Sequence, residues 1–379
     1  MKLTKLFTDF FESEKAGGLI LIFCTLISLL LANSTFQNSY THFWHFNVAG
    51  LSIEHWINDA LMAIFFLVIG LELEREIYHG ELSDLKSASL PILSALGGML
   101  VPAGIFLLFN FGTNSSSGAG IPMATDIAFA VGVISLLGKR IPAGLKVFLM
   151  ALAIIDDLGA IIVIAVFYTS SISFFNLIIA LTIFGALLIL NRLKIHNLIP
   201  YIIGGVFMWY FMHRSGVHAT ITGVLLAFAI PFGSGAETTT SYRLQLFLHK
   251  PVAFFILPVF ALANTCIVIN TNWHNGLTQT HSMGIIAGLL LGKPLGICLF
   301  AFAAIRFKLS TLASDIHWKH LIGAGLLAGI GFTMSIFITL LAFYDTERIT
   351  QSKIAILFAS LIAGMLGYTW LKIFPKKTN

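Results

Sequence analysis

Long apolar stretches, punctuated by Pro, Gly, Asn and charged residues, recur from Gly17 to Leu371 with no long polar block between them. A helix needs about 20 apolar residues to cross the hydrocarbon of a bilayer. Twelve stretches come near that length, at residues 16–33, 56–79, 88–109, 121–137, 142–168, 172–190, 198–212, 216–230, 246–269, 283–305, 320–343 and 353–371. The seventh and eighth are short and easily misread as one long segment. The pattern predicts an all-α integral membrane protein with about twelve transmembrane helices, in one domain over residues 1–379.

Charge and composition sharpen that picture. Only 10% of the residues are charged and mean hydropathy is +0.91, whereas a soluble domain carries about 25% charged residues. With both termini in the cytoplasm, the inside loops and helix ends hold 18 of the 22 basic residues, from Lys2 and Lys86 to Lys376 and Lys377. Arg214, Arg348 and Lys353 fall outside, and Lys293 falls within a span. This is the positive-inside bias. It explains the net charge of +5 by topology and anionic lipid, with no nucleic-acid partner. The first stretch lacks a small-residue cleavage site and reads as a retained helix. Residues Gly112 to Gly120, rich in Gly and Ser, read as a flexible external connection.

Ionisable residues inside the spans carry the chemistry. Asp59, Asp126, Asp156 and Asp157 lie there, with Lys293 as the deeply placed amine. Charge in hydrocarbon is costly, so such groups face a bundle interior or a water-filled path. Asp156 and Asp157 are adjacent, hence about 100° apart on a helix, and can face one cavity. A poorly solvated pair of repelling carboxylates can exchange protons for a hard cation, and sodium or lithium suits carboxylate, hydroxyl and carbonyl oxygens. The plain alternative is that one Asp bonds to a neighbouring helix while the other meets a polar crevice. Two further segments are interrupted: Gly120-Ile121-Pro122-Met123-Ala124-Thr125-Asp126, and Gly329-Ile330-Gly331-Phe332-Thr333-Met334-Ser335. Short broken spans in corresponding halves point to a transporter built from inverted repeats, although either alone reads as helix-packing glycine. If both break at midplane, Asp126 offsets the positive N-terminal ends, and Lys293 either offsets the C-terminal ends or pairs with Asp156.

A third cluster, Glu72, Glu74, Arg75, Glu76, Glu81 and Asp84, stands where the second span meets the cytoplasm. It reads as a solvated helix end or as an acidic funnel that attracts cations and senses pH. The twelve histidines show no metal-ligand spacing, and His42, His45, His274 and His281 read as loop residues. His218 opens a short span, as an interface histidine or a pH-responsive one.

Taken together, these blocks resemble the bacterial NhaA sodium/proton antiporters over nearly the whole chain. The resemblance rests on Ala16-Gly17-Gly18, Trp56-Ile57-Asn58-Asp59-Ala60-Leu61-Met62-Ala63, Gly70-Leu71-Glu72, Ala124-Thr125-Asp126-Ile127-Ala128-Phe129-Ala130 and the run from Phe148 to Asp157. Further along it rests on Ser215-Gly216-Val217-His218-Ala219-Thr220, Gly292-Lys293-Pro294-Leu295-Gly296 and the Gly329 to Ser335 block. It implies an inverted repeat relating residues 88–168 to 283–371, with two crossed, partly unwound helices around Asp126. It also implies Asp157 as principal carrier, Asp156 as its neighbour paired with Lys293, and Thr125 with Asp126 at the crossing. The implied activity is export of one Na+ or Li+ for two protons imported, for pH and sodium homeostasis, by a homodimer in the bacterial inner membrane. No cofactor is implied and no reaction is catalysed; the metal at Asp156 and Asp157 is the transported ion. Glu72, Glu76, His249 and His218 are the candidates for a pH response. Gln245 and Leu246 stand where relatives often carry a glutamate and a histidine, and Glu74 where a basic residue is common. Another proton-coupled solute transporter, a channel or a structural membrane protein are the alternatives.

Overall fold

The computed structural model describes residues 5–169, 172–233, 239–271, 273–313 and 315–374. Lys2, Lys376 and Lys377 fall outside these, as do the side chains of Glu81 and Lys86. Among the described residues the only strands are a two-residue hairpin, β1 (Asn47–Val48) with β2 (Leu51–Ser52). The remainder is helix and connection. In chain order the main helices are α1 (Lys5–Ala32), α2 (Ile53–His79), α3 (Leu85–Asn110), α4 (Ile127–Leu136), α5 (Ala143–Phe167), α6 (Phe174–Arg192) and α7 (Leu198–Ser215). They continue with α8 (Ile221–Ala229), α9 (Thr240–Asn264), α10 (Thr280–Arg306), α11 (Trp318–Ala328), α12 (Phe332–Ala342) and α13 (Thr346–Ile373).

Nine described helical segments are long and apolar enough to cross a bilayer. A tenth is counted if α11 and α12, bent by 46° at their break, form one span. The other two expected spans are α7 and α8. They are separate helices, because α7 stops at Gly216, whose φ of 84° is left-handed and closes the helix. Their shortfall has a physical cause: α7 ends in Trp209, Tyr210, His213 and Arg214, and α8 has only nine residues, less than half the length needed to span. The Gly112 to Gly120 connection is exposed over residues 112–114, as expected, and packs further on. Residues Ser116–Met123 wind into a 3-10 turn, Ser117 Oγ donates to Ala342 O at 3.0 Å, and Gly118 is buried against Phe106 and Phe343.

The chain divides into two compact units. The first comprises Met1–Thr41, Asp84–Ala160 and Asn264–Asn379, the second His42–Ser83 and Ile161–Ala263. In the first unit α3 and α10 touch backbone to backbone: a Cβ on Gly97 would strike Gly296 O, and one on Gly296 would strike Gly97 O. That approach fixes the helix that carries Lys293. In the second unit Leu71, Tyr201, Met208 and Ala227 form a fully buried core, while Phe174, Phe175 and Ile178 of α6 are exposed. An apolar surface of that kind is what hydrocarbon accommodates. Single π turns interrupt α2 at Ile57–Leu61, α9 at Val252–Ile256 and α10 at Gly288–Gly292, a feature frequent where helices carry function.

Candidate functional site

Two interrupted helices meet in the first unit. Ala124 and Asp126 are extended, with ψ of 147° and 101°, so Pro122 and the residues after it end one helical piece before α4 begins. The first turn of any helix leaves backbone N–H groups without partners, and in a membrane interior these must be satisfied by protein. Asp126 satisfies two helices at once. Its Oδ1 accepts from Phe129 N of α4 at 2.9 Å, and its Oδ2 accepts from Thr333 N of α12 at 3.0 Å and from the Thr333 hydroxyl. Each helix start carries about half a positive charge, so one carboxylate balances both. The carbonyl ends are paired as well: Asp126 N donates to Ile330 O at 2.7 Å, Thr125 Oγ1 to Ala328 O at 2.9 Å and Ser335 Oγ to Ile121 O at 2.7 Å.

Those carbonyl partners leave Lys293 for the other role open to it. Its ammonium is completely buried, at the end of the π turn in α10, and pairs with Asp156 Oδ2. The same oxygen accepts from Thr125 Oγ1 at 2.8 Å. Thr125 has one hydroxyl proton for two acceptors, Asp156 and Ala328 O, so the hydroxyl can trade one for the other. Asp156 Oδ1 has no hydrogen-bond partner among the described residues. Asp157, on the next position of α5, is fully buried. Thr125, Asp126, Asp156, Asp157 and Lys293 thus belong to one unit and are held by α4, α5, α10 and α12. Asp126 balances the two helix starts, Asp156 is paired with Lys293, and Asp157 adjoins Asp156 on α5, which makes this an acidic site. Its donors are all oxygen, and a small hard cation fits that chemistry.

The other predicted residues lie in the second unit. Glu72 accepts a hydrogen bond from Gln245 and lies 3.9 Å from His249 Nδ1. Gln245 therefore contacts the acidic cluster directly. Glu74 is buried with its Oε2 unpartnered among the described residues, and Arg75 lies over the Tyr242 ring at 5.2 Å. Glu76 is only partly buried. His218 Nε2 bonds Tyr168 O at 2.8 Å, tying the start of α8 to the end of α5.

Two expectations about ionisable groups change. Asp59 does not join the other membrane aspartates: it bonds His55 and His213, within the second unit. The histidines do converge on a cluster with metal-ligand chemistry, because folding brings together residues 154 positions apart. His281 is a buried residue of α10 rather than a loop residue, and His42, His45 and His274 lie in short helices. The i, i+4 spacing of His55 and Asp59 was visible in the sequence; the contribution of His213 was not.

Known proteins agree with this architecture. A profile of the family described as Na+/H+ antiporter 1 matches residues 8–371. The Na(+)/H(+) antiporter NhaA 1 of Flavobacterium johnsoniae is 65% identical over 372 residues, 98% of each chain. The Na(+)/H(+) antiporter NhaA of Dechloromonas aromatica is 58% identical, covering 100% of this chain and 98% of its own. The fold also resembles that of the sodium proton antiporter MjNhaP1 from Methanocaldococcus jannaschii. The TM-score is 0.57 at 15% identity, over 97% of this chain and 98% of that one. With matches that span both units and every block named above, the chain belongs to the NhaA family of Na+/H+ antiporters.

Proposed function

We propose that this chain is an electrogenic secondary antiporter that moves one Na+ or Li+ outward for two protons inward. The observation that carries the reading is the buried all-oxygen pair Asp156–Asp157, with Asp156 held by Lys293 and Thr125. Asp157 is the principal carrier and Asp156 its partner. When cytoplasmic pH is high the pair releases protons and takes up sodium; when the site faces outward, protons displace the ion. Two protons against one sodium carry one net positive charge inward, so membrane voltage drives export. No covalent chemistry is needed.

Thr125 and Asp126 hold the crossing at which access alternates. The reading includes an inverted repeat of residues 88–168 and 283–371, since α4 and the α11–α12 pair, the broken members of each half, bond to one another at Asp126 and Ile330. It also includes an inner-membrane location with both termini cytoplasmic, and a homodimer joined partly through the β1–β2 hairpin, whose Val48 is exposed. Glu72, Glu76, His249 and His218 are the pH-response candidates away from the carriers. Inside-out vesicles loaded with protons test the core claim. Sodium and lithium, but not potassium, are expected to release the protons at alkaline pH. Sodium flux without proton movement would indicate a channel, and equal proton release by all three ions an exchanger without the proposed selectivity.

A further inference from the structure

A second ionisable cluster, in the second unit, has different donors. Asp59 Oδ2 lies 3.2 Å from His55 Nε2 and 3.0 Å from His213 Nδ1, and the three atoms all fall within 4.8 Å of one another. Local structure explains the convergence. His55 and Asp59 are one turn apart on α2, across the start of its π turn, while His213 comes from the last turn of α7. The His213 ring is held in plane by a stack: Trp56 on Trp209 at 5.9 Å, and Trp209 on His213 at 5.8 Å. Trp56 is anchored in turn by its Nε1–H, which donates to Val48 O of the hairpin at 2.9 Å. Trp56, Trp209 and His213 also line an open cavity of about 760 Å³. The side chains of His55, Asp59 and His213 are 45%, 19% and 30% exposed. An ion can therefore reach them without the backbone opening.

We propose that His55, Asp59 and His213 form a binding site for a borderline-soft divalent cation of the zinc class, separate from the transported ions. Two imidazole nitrogens and one carboxylate oxygen are the donor set such ions take, with a further position left for water. Sodium and lithium prefer oxygen donors, and copper(I) prefers sulfur, which the cluster lacks. Tetrahedral coordination with bonds of about 2.0–2.1 Å sets donor atoms roughly 3.3 Å apart, and two of the three separations already lie near that. The metal takes the place of the ring protons that now bridge to Asp59. Each neutral ring then presents its lone pair to the ion and keeps its proton on the other nitrogen. Binding joins the head of α2 to the end of α7.

The test uses the full-length protein in detergent, stripped with a chelator and titrated calorimetrically with ZnCl2. His55→Gln, Asp59→Asn and His213→Gln are titrated in parallel, with His317→Gln as control, since His317 and His320 form another ring pair. One zinc per chain is expected, with a dissociation constant in the micromolar range or tighter. Each of the three substitutions is expected to weaken it at least about tenfold, as losses around metal sites do, with the control unchanged. Cobalt(II) in place of zinc is expected to give the visible bands of a low-coordinate site, lost in His55→Gln. His55 is the most exposed ligand, so this variant decides the matter if His213→Gln fails to fold. No zinc uptake by the parent, or uptake that His55→Gln leaves unchanged, overturns the proposal.

Discussion

The Asp156–Lys293 pair of the first unit and the Asp59 cluster of the second each set a carboxylate against basic nitrogen, but by opposite means. Around Asp156 the groups are completely buried, the amine is a lysine and the remaining donors are oxygen. Around Asp59 the partners are imidazoles and all three side chains reach solvent. Burial decides which cluster depends on its counter-charge: a buried ion loses several kcal/mol of hydration, whereas exposed pairs contribute little. The first cluster is therefore expected to respond steeply to any loss of charge, and the second mainly through what it binds.

The steepest response is expected from Asp157→Asn. The amide can neither hold sodium by charge nor cycle a proton, so sodium-dependent proton release in inside-out vesicles is expected to fall to the level of empty vesicles. Near-normal exchange would move the carrier role elsewhere.

Lys293→Ala comes next, because it strands Asp156 without its ammonium. A loss of about 3–5 kcal/mol is expected, read as a lower melting temperature in detergent. Combining Lys293→Met with Asp156→Asn is expected to restore part of that stability, since a neutral pair avoids the stranded charge. A melting curve for Lys293→Ala that matches the parent would mean that the lysine escapes to water. Asp126→Ala is milder: it removes two caps, at about 1–2 kcal/mol each, so its melting temperature is expected to lie between the parent and Lys293→Ala. If it lies at the parent value, the bonds to Phe129 and Thr333 do not hold the crossing.

Much of the first cluster was legible along the chain because its signals are contiguous. Asp156-Asp157 is a dipeptide, Thr125-Asp126 follows a proline break, and Lys293 is conspicuous among leucines and glycines. What the sequence left open was which of two roles Lys293 takes, because that depends on whether other groups satisfy the carbonyl ends of the broken helices. Ser335, Thr125 and the Asp126 amide do so. The second cluster was illegible for the converse reason. His55 and Asp59 share a helix face, but nothing along the chain says that α7 delivers His213 to them. The seventh and eighth spans are the ones that length and composition mark least clearly, because α7 and α8 offset a polar end or short length by packing, with Met208, Met212, Val224 and Ala227 buried.

The smallest effect is expected from Gln245→Glu. Gln245 donates to Glu72, so the substitution replaces a hydrogen bond with two carboxylates in contact, beside His249. If a switch in this cluster governs activity, the change is expected to displace the pH midpoint of exchange markedly, and Glu72→Gln to displace it as well. If competition at Asp156 and Asp157 governs it, the midpoint follows sodium instead. Cation and proton contend for the same oxygens, so raising sodium makes proton release complete at lower pH, and the midpoint moves down. That second outcome is the expected one, with Gln245→Glu moving the midpoint by less than a tenfold rise in sodium does. Vesicle titrations at several sodium concentrations, on the parent and both variants, separate the two. A midpoint that ignores sodium but follows Glu72 would place the control of activity in the second unit.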